Sequence, residues 1–136
     1  MIPTYKCNFA CKYCFEDLKR LEQVREDVIK PQLLVAWIEK FWSTYKFPSL
    51  GIVFYGGEPL LKKERLKDYI EALKKWTNAN KIKFSFSIIT NGSLWDKEFA
   101  QYMVKNGLKQ VQITIDGVKE VHDARRPFKG EKGSFV

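Results

Sequence analysis

Histidine occurs once in the 136 residues, at His122, and cysteine three times, at Cys7, Cys11 and Cys14. Thiols confined to one stretch and odd in number argue against a secreted disulfide framework. With a single histidine, a four-ligand zinc site would have to join all three cysteines to His122, far along the chain. Closed zinc modules rarely need such a span. No apolar run approaches the length of a membrane span, and no basic, apolar and small pattern opens the chain as a secretory leader would. A cytoplasmic location and no membrane partner are the expectations that follow. Internal repeats and low-complexity linkers are also missing. Arginine is scarce, five against 19 lysines. A phosphate-binding stripe favours arginine and clustering.

What is present suffices for one domain spanning 1–136, at 45% hydrophobic and 15% aromatic residues. The net charge of +8 raises nucleic acid as a partner. The lysines are spread along helix-like segments, as at Lys62, Lys63, Lys67, Lys74 and Lys75, which reads as a solvated surface.

Met1 to Lys6 is a strand stub at most, since Pro3 does not suit a central ladder. Glu16 to Asp27 reads as loop with some helix, Leu18, Leu21 and Val24 standing at helical spacing. Pro31 suits a first helical turn, and Leu34, Trp37, Ile38, Phe41, Trp42 and Tyr45 then recur at three- and four-residue steps. Gly51 to Tyr55 is a short apolar run of the kind found in buried parallel strands. Leu66, Tyr69, Ile70, Leu73 and Trp76 mark a second helix, closed by Asn78-Ala79-Asn80. Lys83 to Ile89 is a strand, Asp96 to Lys105 a helix stopped at Gly107, and Val111 to Ile115 a further strand. The alternation implies an α/β domain with four parallel strands and right-handed crossovers. Ser134 has the look of an N-cap for a next helix, and a bare apolar edge at Val111 to Ile115 calls for more strands. The expectation is an N-terminal piece of a larger protein.

In parallel α/β sheets, ligands gather at the carboxyl ends of the strands. Every unusual motif here falls at such an end: the cysteine loop, Gly56-Gly57-Glu58-Pro59, Thr90-Asn91-Gly92 and Asp116-Gly117. Three thiolates spaced as Cys7, Cys11 and Cys14 can wrap one metal centre. A structural zinc takes four protein ligands and an ordinary iron–sulfur cluster four thiolates. Three leave one position open. Glycines at 56 and 57 permit close approach of backbone to a ligand, although Gly-Gly-Glu-Pro alone is also an ordinary turn into a helix.

Cys7-xxx-Cys11-x-Tyr13-Cys14 followed by Tyr55-Gly56-Gly57-Glu58-Pro59 resembles the radical S-adenosylmethionine (SAM) superfamily, over essentially the whole chain. The resemblance implies a partial (β/α)6 TIM-like barrel, truncated here after about four β/α units, with two strands beyond Val136. It implies a 4Fe-4S cluster on Cys7, Cys11 and Cys14, with SAM on the fourth iron. One electron from the cluster would cleave SAM to a 5'-deoxyadenosyl radical that abstracts hydrogen from substrate. By the same resemblance, Gly56, Gly57 and the Glu58 region contact the methionine amino group, and Tyr13 meets adenine. Thr114, where serine is commoner, and Arg126 bind the SAM carboxylate, for which the guanidinium fork is suited. Arg125 is the competing arginine. Asn91 holds ribose or substrate, or is simply a strand-end turn.

Ile115-Asp116-Gly117, His122-Asp123 and Arg126-Pro127 resemble the peptide-modifying subgroup that includes anaerobic sulfatase-maturating enzymes. That implies a peptide or protein substrate, a one-electron donor such as ferredoxin or flavodoxin, and a C-terminal SPASM domain with auxiliary clusters. Asp116 serves a substrate proton or caps a turn. Two other functions share the composition: a zinc-stabilised basic module on nucleic acid, and radical SAM chemistry on RNA.

Overall fold

Residues 1–15, 29–130 and 132–135 are described by a computed structural model. The stretch read as loop and helix from Glu16 to Asp27 lies outside the described residues. Helix α1 covers Pro31–Tyr45. Pro31 fixes its first turn where the missing N–H goes unneeded. It stops where Lys46 turns left-handed (φ 48°) and donates its N–H to the Trp42 carbonyl. Leu34 and Ile38 are buried, whereas Trp37, Phe41 and Tyr45 are 58%, 44% and 71% exposed. Only part of the apolar pattern that sets the helical period turns inward.

Strand β1 (Ser49–Phe54) leads through a 3-10 turn at Pro59–Lys62 into α2 (Lys63–Ala79). Strand β2 (Lys83–Thr90), α3 (Lys97–Lys105), β3 (Leu108–Ile113) and α4 (Lys119–Arg125) follow. Among the described residues the sheet has three parallel strands in the order β1-β2-β3 and is not closed. The α/β class and the parallel sheet are as expected from the sequence.

The expected fourth strand at Met1–Lys6 does not form among the described residues. Met1 makes one parallel rung, its N–H donating to Val53 and its carbonyl accepting from Tyr55. Pro3 stands where the next N–H donor would be, and the ladder ends there. The lead-in then crosses the end of β1, with Gly57 N–H donating to Thr4 and Glu58 N–H to Lys6. Its course is fixed from outside by Arg65, which donates to the Pro3 carbonyl at 2.6 Å.

One sheet face carries Ile52, Phe54, Phe86, Ile88 and Val111 into a core with Leu34, Ile38, Leu66, Ile70 and Leu73 from the helices. Phe54 and Phe86 meet edge to face at 5.7 Å. The other face leaves Val53 and Ile89 exposed. The strands are therefore buried on one side, not on both as their apolar runs suggested. No helix among the described residues is long and apolar enough to cross a membrane. Ser134, expected as a helix cap, donates its hydroxyl to the Arg126 carbonyl at 2.5 Å.

Candidate active site

All three strands release the chain at one rim, and the cysteine loop folds over it. The result is a cleft of about 350 Å³. Cys7, Cys11, Tyr13, Cys14, Gly56, Gly57, Asn91, Thr114 and Arg126 line it together. A larger groove of about 910 Å³ between α1 and α2, lined by Pro31, Asp68, Lys75 and Trp76 among others, holds no thiol. Volume alone points to the wrong place; convergent chemistry selects the smaller cleft.

The loop shapes itself around its thiols. Cys7 Sγ accepts the Phe9 N–H at 3.4 Å, and the Cys14 N–H closes on the Cys11 carbonyl at 3.1 Å. Asn91 Nδ2 reaches Cys7 Sγ at 3.9 Å and donates to Asn8 Oδ1 at 2.8 Å. Burial pushes the Cys7 thiol up, the Glu58 carboxylate adding to the rise against the Phe9 N–H. Burial likewise raises Cys11, against the pull of Arg126. Metal binding must therefore displace protons from both.

Gly56 and Gly57 are glycine for a reason internal to the chain. A Cβ on Gly57 would stand 2.3 Å from the Lys6 carbonyl oxygen and 2.4 Å from that of Tyr5. On Gly56, at φ +133°, it would meet the Thr4 carbonyl and Ile2 at 2.7 Å. Their bareness lets the cysteine loop's lead-in lie directly against the end of β1. Both still line the cleft.

Glu58 does not line it. Its side chain has no exposed surface. Oε1 accepts from Leu60 N–H at 2.9 Å and Thr90 Oγ1 at 2.7 Å, and Oε2 from Asn91 N–H at 2.7 Å. The carboxylate expected near an ammonium joins the end of β1 to the end of β2, and so places Asn91.

Across the cleft, Arg126 Nη1 donates to Tyr13 Oη at 2.8 Å, and the Tyr13 hydroxyl donates to Asp116 Oδ1 at 2.8 Å. Arg126 is nearly buried, and its Nε–H has no partner among the described residues. The guanidinium also faces the Asp116 carboxylate at 4.0 Å, and the residue lines the cleft, where its fork suits a carboxylate. Arg125, the competing arginine, is absent from the lining. Asp116 sits at the end of this chain of bonds, and its N–H donates to His122 Nδ1 at 3.3 Å. That ring nitrogen is occupied, and no three His, Cys, Asp or Glu side chains among the described residues are grouped to hold a single ion. Three thiols and Arg126 line one cleft, a donor set whose chemistry fits an iron–sulfur cluster, and His122, whose Nδ1 accepts from Asp116, is not part of that lining.

Tyr55 and Thr90, each part of a motif read in the sequence, also line the cleft, as do Phe9, Phe15, Ile89 and Gln112, which were not singled out from sequence. Gln112 was within reach of the strand period, two residues before Thr114 on the same side. Phe9 and Phe15 carried no signal beyond lying beside the cysteines.

Residues 1–134 match the model of the family described as the Radical SAM superfamily. The chain is 31% identical over 132 residues to a cysteine-type anaerobic sulfatase-maturating enzyme of Clostridium novyi, covering 95% of this chain and 34% of that protein. It is 33% identical over 132 residues to an Fe-coproporphyrin III synthase of Methanosarcina barkeri, covering 97% and 29%. Among solved structures, anSMEcpe with bound AdoMet superposes with a TM-score of 0.78 at 26% identity, covering 97% of this chain and 35% of that one. The same protein with AdoMet and Kp18Cys peptide gives 0.77 at 25% identity, again covering 97% of this chain and 35% of that one. The chain spans about a third of the length of the curated relatives it matches.

Proposed function

Because the chain belongs to the Radical SAM superfamily, whose members use a 4Fe-4S cluster and SAM, we propose that it forms the cofactor-binding part of an enzyme that modifies a peptide or protein side chain. One observation carries the reading: three thiols and an arginine line a single cleft at the strand ends.

In this reading Cys7, Cys11 and Cys14 hold the cluster. Gly56 and Gly57 offer main-chain groups to the amino end of SAM, and Arg126 with Thr114 receives its carboxylate. Tyr13 and Asn91 border the nucleoside, and Glu58 acts at one remove by fixing Asn91. A cluster held by these thiols would supply the one-electron reduction of SAM that starts hydrogen-atom abstraction from substrate. The chain's own part is to orient and to exclude water: Tyr55, Ile89 and Phe9 supply apolar wall around the donors.

The peptide or protein substrate is supported by the sulfatase-maturating relatives and by the neighbour whose structure holds a peptide. An external one-electron donor, such as ferredoxin or flavodoxin, and a cytoplasmic site of action complete the reading. The test is anaerobic reconstitution with iron and sulfide. The expected protein is brown and oxygen-sensitive and releases 5'-deoxyadenosine from SAM when reduced, faster when a cysteine- or serine-containing peptide is added. Cys11→Ala removes both colour and turnover. A colourless protein with stoichiometric zinc and no SAM cleavage would overturn the reading.

A further inference from the structure

The cysteine loop is held by residues more than a hundred positions away. Ala10 N–H donates to the Pro127 carbonyl at 2.8 Å, Lys12 N–H to Arg125 at 2.9 Å, and Lys129 N–H to Asn8 at 2.9 Å. Phe9 and Phe128 pair in an antiparallel bridge, their rings edge to face at 4.7 Å. The backbone between Cys7 and Cys11 is thus one side of a short clasp, and residues 125–129 are the other.

That second side lies at and beyond the end of α4 and belongs to no sheet strand. It is held from behind. Asp123 Oδ1 accepts the N–H groups of Ser134 and Phe135, each at 2.7 Å, and Oδ2 accepts Lys119 Nζ at 2.9 Å. Ser134 Oγ donates to the Arg126 carbonyl, and Phe128 N–H donates to the Lys132 carbonyl at 2.8 Å. Gly133 makes the closure possible, because a Cβ there would stand 2.4 Å from Asp123 Oδ2. A carboxylate oxygen taking two main-chain N–H groups makes two charge-assisted bonds from one side chain. Asp123 itself does not line the cleft.

We propose that Asp123 is a positioning residue for the metal-binding loop. By clamping 133–135 behind 125–129 it fixes the clasp, and the clasp fixes the path from Cys7 to Cys11. The proposal rests on the reading of that loop as the cluster site.

Three variants test it: Asp123→Ala, Gly133→Ala as an independent way to open the clamp, and Lys119→Gln, which leaves both main-chain bonds in place. Two quantities are read: amide hydrogen exchange at Ala10 and Lys12, and the rate at which an iron chelator bleaches the reconstituted protein's visible absorbance. Asp123→Ala and Gly133→Ala are expected to raise both by roughly tenfold, as loss of bonds to a charged acceptor should. Exchange in β1 and β2 should stay unchanged, and Lys119→Gln, which loses only the Lys119 contacts to Asp123 and to the Phe135 carbonyl, should raise both far less than Asp123→Ala does. The proposal fails if Ala10 and Lys12 stay as protected as in the parent, or if the β2 amides loosen by the same factor. If the amides loosen but the parent never takes up iron, the clasp stands and its role in holding iron is overturned. If iron is held and bleaches equally fast in all four proteins, the cluster reading stands and Asp123 has no part in it.

Discussion

Glu58 is the residue whose role differs most from its motif. Burying a carboxylate is costly unless its oxygens are filled, and Glu58 fills them with Leu60 N–H, Thr90 Oγ1 and Asn91 N–H. Glu58→Gln keeps the shape but turns an amide NH2 toward the Asn91 N–H, setting donor against donor. The expected loss is about 1–3 kcal/mol, read from denaturant midpoints, together with faster amide exchange at Asn91. An unchanged midpoint would mean the carboxylate is not the joint between β1 and β2. Gly57→Ala drives a methyl into the Lys6 and Tyr5 carbonyls, and overpacking of this kind costs about 1–3 kcal/mol. Its signature should be loss of the Glu58 N–H protection given by Lys6. The Gly-Gly-Glu motif was plain in the sequence as a special turn. Which partner demanded each residue was not, because the atoms that crowd the glycines come from Ile2 to Lys6 and donors to Glu58 from Thr90 and Asn91, set against the motif only by folding.

At the scale of elements, α3 shows how a helix start can be read and then weighed. Asp96 accepts the Phe99 N–H at 2.8 Å as its N-cap, and Lys63 reaches the same carboxylate. The Lys63 hydrogen bond, then the Phe99 N–H, hold the Asp96 carboxyl below its usual range. A depressed carboxylate adds stability above its unfolded pKa and loses it as pH falls through the folded one. Asn also caps helices well, so Asp96→Asn isolates the charge. The variant should melt below the parent at neutral pH, and the gap should close as pH falls below the ordinary aspartate range. A gap that persists at low pH would assign the effect to geometry instead. Helices α1 to α3 were legible because their apolar period survives in the sequence. Strand β3 was placed late, from Val111 to Ile115, whereas it runs from Leu108 to Ile113 and leaves Thr114 just beyond its end. Lys109 and Gln110 are exposed and mask its start, and the Gly107 carbonyl already accepts the Phe86 N–H. The lead-in failed as a strand at Pro3, the residue that had marked it as doubtful.

For the molecule as a whole, the rim was legible because a parallel sheet sends every strand end to one side, so motifs far apart in sequence had to meet there. The clasp at 125–129 was not, since nothing in Pro127 or Phe128 announces a partner at Ala10 or Phe9. The same architecture leaves apolar surface open. Leu33, Trp37, Phe41 and Tyr45 recur every fourth residue along the outer side of α1, with Trp37 and Phe41 rings 4.6 Å apart. Val53 and Ile89 are bare on the sheet. Contiguous patches of this kind drive association. The 136-residue chain by itself should therefore bind a hydrophobic dye, sediment with a mass that rises with concentration, and melt over a broad range. A monomer with a sharp melt at all concentrations would contradict this. Two variants separate the surfaces. Trp37→Lys with Phe41→Glu breaks the helical stripe, while Val53→Thr wets the sheet at a position outside the cleft. Because the stripe is aromatic and lies on a helix whose buried side already packs, its loss should restore a monomer without lowering the melt. If only Val53→Thr does so, the open sheet face is the stronger of the two surfaces.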